Sequence, residues 1–286
     1  MFENLKNGWR LGKATRELIF KDKNLLLYPI LGGLILFALA LMFFVPLVFI
    51  TFVHHYSGIV IVAGVILYTI ISTFVSVYFL MGLLIAFRYY AKNKKKLPMA
   101  NALSQASKYW VQILEWAVFY SILVTILRMV ESRIGGFGGM MIGALGSMAL
   151  SLATIFVVPS ILDNGTGPIK SLEKSVSIIT KNFGATFGGI AYSDLYSLLI
   201  IVLGGALFFV GILAAFTSPV LGFALVAAGI VIGVFGLMLN YVLSNTFIFI
   251  LYEYANGKKL PGGFTKDMMD NAIRKKKASR LGGSFV

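Results

Sequence analysis

The chain has 286 residues and a net charge of +14; 58% of the residues are hydrophobic and only 13% are charged. Soluble domains carry about 25% charged residues, and here the apolar residues form long uninterrupted runs, so an ordinary soluble domain is excluded. The absence of cysteine excludes disulfides, thiolate metal sites and cysteine nucleophiles.

Six apolar runs are long enough to cross a bilayer, which takes about 20 residues. Several runs exceed that minimum, so they could tilt or break, for example at Pro46. The predicted fold class is therefore all-α, a polytopic membrane bundle of six transmembrane helices over residues 1–257, followed by a basic amphipathic tail over residues 258–286. The predicted spans are 25–53, 59–87, 111–127, 140–162, 190–216 and 221–251.

The positive charges are divided unequally between the two ends of these spans. All 25 Lys and Arg residues except Arg128 and Arg133 lie in the N-terminal segment, in the loops after spans two and four, or in the tail. Cytoplasmic loops are enriched in Lys and Arg, so both termini are predicted to be cytoplasmic. This pattern also explains the net charge better than nucleic-acid binding does, and nucleic acid is not an expected partner.

An amphipathic "elbow" helix is predicted before each odd-numbered span, with its apolar face toward the acyl chains and its basic face toward anionic headgroups or water. Each elbow helix and the two spans after it would form one unit of a threefold internal repeat. The apolar faces include Trp9, Gly12 and Ile19 in the first helix, Met99, Leu103, Ala106 and Trp110 in the second, and Leu172, Val176 and Ile179 in the third.

Anionic phospholipid is the partner expected for the basic elements, because such clusters are attracted by about 1 kcal/mol per basic residue. For the tail, which reads as a basic amphipathic helix, ribosomal RNA is an alternative by analogy with some insertase tails. The predicted lipid contacts are Arg10, Lys13, Lys94, Lys95, Lys96, Arg274, Lys275, Lys276 and Lys277.

Polar residues inside the spans are candidates for function, since charge in a membrane is costly. Glu115 and Asp194 either bind a cation or relay protons, or they are carboxylates near the interface that pair with Lys108 or Lys181 or are simply hydrated. Asn240, Ser244 and Asn245, together with Tyr241, either line a polar cavity or form hydrogen bonds between helices.

Small residues recur every fourth position at Gly135, Gly139, Gly143, Ser147 and Ser151. Such a stripe allows another helix to approach closely, either a span of the same chain or one of a second protomer. No metal or other cofactor is expected, because the only histidines, His54 and His55, are adjacent and point in different directions.

Short motifs near the span ends are 7–14 (NGWRLGKA) with 22–25 (DKNL), 154–159 (TIFVVP), 163–169 (DNGTGPI) with 171–175 (SLEKS), and 251–255 (LYEYA) with Gly257. With these motifs the chain resembles uncharacterised prokaryotic six-helix membrane proteins classed as domains of unknown function. A broader likeness is to the membrane domain attached to some glycerophosphoryl diester phosphodiesterases. The resemblance implies six helices in a bacterial or archaeal inner membrane, and it implies no activity.

Three functional hypotheses remain open. The leading one is a non-enzymatic scaffold or accessory protein that binds lipid or a membrane-protein partner, including a second copy of itself, since no catalytic constellation is recognised. The alternative is a transporter or channel for a small solute or ion, favoured by helix breaks expected at Pro46 and Pro159. A lipid-modifying enzyme is the third, although convergent acid–base groups are few.

Overall fold

The computed structural model describes residues 2–53 and 58–258 together with Leu260 and Phe264. Within them the chain forms nine α-helices and no strand. His54, His55 and the predicted tail contacts Arg274–Lys277 lie outside the described residues. The helices are α1 (Phe2–Lys21), α2 (Leu27–Val53), α3 (Gly58–Asn93), α4 (Met99–Ala106), α5 (Trp110–Ile134), α6 (Gly136–Thr154), α7 (Val157–Asn164), α8 (Pro168–Ala215) and α9 (Pro219–Ala255).

Six helical stretches are long and apolar enough to cross a membrane, which confirms the predicted all-α six-span fold class. The third stretch is longer than the predicted span because α4 and α5 follow each other with only a 3-10 turn between them. The stretches are Lys23–Val48, Ile61–Asn93, Met99–Ile134, Gly136–Asn164, Ile190–Ala215 and Pro219–Ala255.

The buried core lies at one end of the bundle, which we call the basic end. It is formed by the C-terminal turns of α1, α3 and α9, the start of α2, one face of α4, all of α7, and the first turns of α5 and α8. Large buried side chains there include Phe87, Phe156 and Phe249. Toward the opposite end, side chains such as Met42, Phe137 and Phe216 are exposed. Large apolar side chains with no protein cover are those expected to meet lipid tails.

The elbow helices pack on the bundle, and most of their apolar positions contact protein instead of facing outward. Gly12 of α1 lies against the Tyr192 ring of α8, and Leu103 of α4 lies against Gly82 of α3. The Tyr78 hydroxyl donates a hydrogen bond to the Leu103 carbonyl at 3.0 Å. Because Gly12 and Gly82 have no side chain, the Tyr192 and Leu103 side chains approach closely at these positions. The facing sides of α1 and α8, and of α4 and α3, are buried as a result.

A few apolar elbow positions remain exposed. Trp9 and Trp110 are 42% and 55% exposed, and Val176 is also exposed. The third elbow is not a separate helix, since residues 168–183 form the first part of α8. Pro168 occupies the first turn of α8, where its missing N–H leaves no donor unpaired, and no later proline interrupts the helix before residue 216.

The fourth span is broken, whereas the first is not. α6 ends at Thr154 and α7 begins at Val157. Pro159 explains this break, because its ring would collide with the carbonyl of Ile155 four residues earlier. The Phe156 N–H is satisfied by the Ser175 hydroxyl of α8 at 3.0 Å. Pro46, in contrast, lies inside the continuous helix α2, so no break occurs at that position.

Helices α8 and α9 form a close antiparallel pair through glycines spaced by seven residues. The glycines are Gly204 and Gly211 on α8, and Gly222, Gly229 and Gly236 on α9. A Cβ atom at Gly204 would lie 2.5 Å from the Gly233 nitrogen and 2.8 Å from the Gly229 oxygen. These contacts are to backbone atoms, so the pair is held at a separation that only glycine allows at these positions.

Candidate functional site

The basic end holds a cluster of four charged residues from three parts of the chain. Arg88 lies near the end of α3, Asp163 near the end of α7, Glu253 in the last turn of α9, and Lys258 just after α9. Arg88 Nε donates to Glu253 Oε1 at 3.1 Å, and Arg88 Nη2 is 3.5 Å from Asp163 Oδ1. Lys258 Nζ also pairs with Asp163 Oδ1. We call these four residues the charge cluster.

The charge cluster is supported by neighbouring polar and aromatic side chains. The Tyr252 hydroxyl donates to Asp163 Oδ2 at 3.3 Å and accepts a hydrogen bond from Asn164 Nδ2 at 3.1 Å. The Arg88 guanidinium lies over the Phe249 ring, with 4.9 Å between its carbon and the ring centroid. Gly165, with φ of 59°, ends α7 in the left-handed conformation and turns the chain away directly after Asp163 and Asn164.

Three members of the charge cluster are largely hidden from solvent, whereas Lys258 is exposed. Glu253 is only 4% exposed, and the side chain of Arg88 is 21% exposed. Two cations and two carboxylates balance each other, which offsets the cost of removing charge from water. The arrangement therefore fixes the ends of α3, α7 and α9 relative to one another without a net charge of its own.

A cleft of about 300 Å³ opens beside the charge cluster, between α3 and the turn from α4 to α5. Arg88, Lys92 and Lys108 supply cationic groups, and none of the described residues that line the cleft is a carboxylate. The Tyr109 hydroxyl donates to the Leu162 carbonyl at 3.2 Å and fixes the ring at the cleft wall. We call this the cationic cleft; its other lining residues are Ile85, Tyr89, Asn93 and Gln105.

The predicted intramembrane polar residues lie elsewhere. Glu115 on α5 and Asp194 on α8 are exposed, and Glu115 Oε2 approaches the loop at Gly167. On α9, Ser244 donates to Asn240 Oδ1 at 2.8 Å, and Asn245 donates to the Tyr241 carbonyl at 2.8 Å. These hydrogen bonds lie within one helix and do not join two helices.

The stripe of small residues on α6 faces α5 of the same chain over part of its length. Gly139 and Gly143 are buried, and a Cβ at either position would meet Glu131 at 2.5–2.6 Å. Gly135 ends α5 with φ of 63°, Ser147 is half-buried, and Ser151 is exposed. The stripe is therefore occupied within the chain at Gly139 and Gly143.

The predicted lipid-contacting residues within the described part of the chain are all exposed: Arg10, Lys13, Lys94, Lys95 and Lys96. Lys96 Nζ lies 3.9 Å from the buried carboxylate of Asp22, which joins the loop after α3 to the end of α1. Arg16 stacks on the Tyr196 ring of α8, with 4.8 Å between its guanidinium carbon and the ring centroid.

Sequence reasoning missed the charge cluster as a site. Asp163 and Glu253 appeared only inside short motifs, and Arg88 and Lys258 only as loop charges. A usable signal was present, because two of the chain's 11 acidic residues, Asp163 and Glu253, stand directly at the ends of apolar spans on the side that holds most of the Lys and Arg. A carboxylate in such a position requires a cation nearby.

Comparison with known proteins shows a family relationship and nothing more specific. No curated protein matches the chain. The profile described as "Family of unknown function (DUF6159)" matches residues 65–262, which is more than half of the chain and includes every member of the charge cluster. The likeness to the phosphodiesterase membrane domain stays a prediction. The chain therefore belongs to the DUF6159 family, a group with six apolar helices in this member and no assigned function.

Proposed function

We propose that this chain is a non-enzymatic membrane protein that binds anionic phospholipid at its basic end and serves as a scaffold or accessory protein. The observation that carries the proposal is the set of exposed cations on elements docked to that end, among them Arg10, Lys13 and Lys94–Lys96. We also infer that this end faces the cytoplasm, as the positive-inside rule predicts, and that the membrane is a bacterial or archaeal inner membrane, as the family resemblance implies.

Position and charge both support binding at the level of the headgroups. The cations flank the ends of the apolar helices, which is where headgroups would lie. Trp9 and Trp110 are exposed at the same end, and tryptophan side chains favour the membrane–water interface. Because the elbow helices bury most of their apolar faces against the bundle, the attraction to lipid would come mainly from their basic faces.

We expect the purified protein to retain anionic lipid, and the triple variant Lys94→Gln/Lys95→Gln/Lys96→Gln to retain less. At about 1 kcal/mol per basic residue near an anionic surface, loss of three charges weakens the preference for anionic over zwitterionic lipid by about 100-fold. The measurement is the ratio of phosphatidylglycerol to phosphatidylcholine retained from a defined mixture, quantified by mass spectrometry.

The matched control is Lys94→Arg/Lys95→Arg/Lys96→Arg, which keeps the charge and should keep the lipid preference. Raising the salt concentration should reduce retention by the wild type, because exposed charges are screened. If the wild-type protein retains both lipids in the proportion supplied, the proposed function is wrong.

A second candidate function, transport of a small solute, is favoured by one cavity within the spans. This cavity of about 310 Å³ lies between α3, α5 and the end of α6, and hydroxyl groups line much of it. Ser76 also borders an apolar cleft of about 250 Å³ between α2, α3 and α9. Glu115, Asp194, Asn240 and Asn245 line neither cavity, although the transport hypothesis expected them there. The polar lining residues are Ser72, Thr73, Ser76, Tyr120 and Thr154.

If the chain transports a small solute through this cavity, Ser76→Leu should block the flux, because the larger apolar side chain fills the space and removes a hydroxyl. Proteoliposomes would be tested for glycerol and urea entry by light scattering and for proton entry with an internal pH-sensitive dye. Ser151→Leu, at an exposed position of α6, is the control. Wild-type flux equal to that of empty liposomes for all three probes would eliminate this candidate for those solutes.

A further inference from the structure

We propose that the cationic cleft is a discrete binding site for one phosphate group, carried either by a phospholipid headgroup or by a soluble phosphate ester. The lipid form of this inference rests on the proposed function and makes it more specific, since it assigns one bound anion to one cleft. The lysines at 94–96 are not among the residues that line the cleft, and they would instead attract lipid diffusely. The charge, the hydrogen-bond donors and the position of the cleft each support this assignment.

The carboxylates near the cleft are already paired with cations. Arg88 is shared by Glu253 and Asp163, and Asp163 also pairs with Lys258. The charge cluster is therefore neutral as a whole. Among the described residues, neither Lys92 nor Lys108 contacts a carboxylate within ion-pair distance, and Lys92 acts on Glu253 only at longer range, so the cleft keeps two cations that no contacting carboxylate neutralises. A cleft lined by charges of one sign concentrates ions of the opposite sign.

The donors in the cleft match a phosphate. Lys92 and Lys108 each carry an ammonium group with three N–H donors, and Gln105 adds an amide. Arg88 uses Nε and Nη2 toward the carboxylates and has further N–H donors on the same guanidinium. Hydrogen bonds from cationic donors to phosphate oxygens are among the stronger ones in proteins, and arginine and lysine are the usual phosphate-binding residues.

The size and position of the cleft suit a headgroup. Its volume of about 300 Å³ accommodates a phosphate with part of its ester group. Ile85 and Leu162 provide an apolar wall, against which a glycerol or similar carbon group would rest. The cleft lies where α3 ends and α5 begins, at the ends of two predicted spans, so a lipid phosphate would reach it without leaving the headgroup layer.

The test uses the full-length protein in a neutral detergent. Binding of dioctanoyl-phosphatidylglycerol, glycerol 3-phosphate and dioctanoyl-phosphatidylcholine would be measured by calorimetric titration. The double variant Lys92→Gln/Lys108→Gln is compared with Lys94→Gln/Lys95→Gln, which loses the same charge outside the cleft. We expect wild type and the 94/95 variant to bind one equivalent of a phosphate-bearing anion. The 92/108 variant should bind about 100-fold more weakly, at about tenfold per lost charge-assisted contact.

The ligand arms identify the source of the phosphate. If phosphatidylglycerol binds saturably and glycerol 3-phosphate does not bind, the cleft is assigned to lipid. Binding of glycerol 3-phosphate assigns it to soluble esters. Lys92→Arg/Lys108→Arg should restore binding, which excludes a folding defect as the cause of the loss. Equal losses in the 92/108 and 94/95 variants would overturn the discrete site while leaving diffuse lipid binding intact. No preference of the wild type for anionic lipid would overturn the proposed function and the lipid form of the site, and if glycerol 3-phosphate also fails to bind, both proposals are overturned.

Discussion

Replacement of Arg88 by methionine is expected to destabilise the folded bundle by about 3–5 kcal/mol, the usual cost of removing one partner from a buried ion pair. Glu253 is 4% exposed and has Arg88 as its ion-pair partner at 3.1 Å among the described residues. Without the guanidinium, its carboxylate would stay buried without a cation in contact, since Lys258 and Lys92 act on it only at longer range. Asp163 would be affected less, because Lys258 also pairs with it.

The free energy of unfolding would be measured by denaturant titration in mixed micelles, with helicity followed by circular dichroism. Arg128→Met is the matched control, since Arg128 pairs with Glu131 at 2.7 Å but is 65% exposed. That exposed pair should contribute less than about 1 kcal/mol. The double variant Arg88→Met/Glu253→Met should recover much of the loss, because it removes the buried charge with its partner. Equal losses at Arg88 and Arg128 would contradict the structural role assigned to the charge cluster.

A single methyl group at Gly204 is expected to cost about 1–3 kcal/mol, the range typical of overpacking. In Gly204→Ala the new Cβ would lie 2.5 Å from the Gly233 nitrogen and 2.9 Å from its Cα. Both are backbone atoms of α9, so no side-chain rotation relieves the contact and the two helices must separate. The loss would outweigh the gain in helix propensity from Gly to Ala, which is up to about 1 kcal/mol.

The adjacent residue provides the control for this change. A Cβ at Gly205 has no atom within 4 Å, so Gly205→Ala should be neutral or slightly stabilising. Gly229→Ala, whose Cβ would meet the Phe208 nitrogen at 2.5 Å, should resemble Gly204→Ala. The readout is the same unfolding titration, run on all three variants. If Gly204→Ala and Gly205→Ala have equal stability, the α8–α9 contact does not have the separation described.

These two features are linked through α9. Its glycines set its distance from α8, and its last turn carries Glu253 to Arg88. The Gly204 contact at Gly233 nevertheless lies about 30 Å along α9 from Glu253. The losses in Gly204→Ala and Arg88→Met should therefore add when the two changes are combined.

The spans were predictable because their determinants are local. The length of an apolar run and the absence of charge within it are properties of consecutive residues, and both can be counted along the chain. The end of α7 also has a local determinant. Gly165 follows Asn164 directly and adopts the left-handed conformation, and Pro168 comes three residues later. The side on which Lys and Arg accumulate is also a one-dimensional quantity, and it predicts orientation without any contact between helices.

The candidate site was decided by tertiary structure, because its members are distant in sequence. Arg88 is 75 residues from Asp163 and 165 residues from Glu253, and no local pattern selects one basic residue among many as their partner. The apolar face of an elbow helix can contact either lipid tails or the other helices of the bundle. Close packing at Gly12 and Gly82 favours the contact with the bundle. An apolar stripe alone does not distinguish these environments, since lipid tails are as apolar as a protein core.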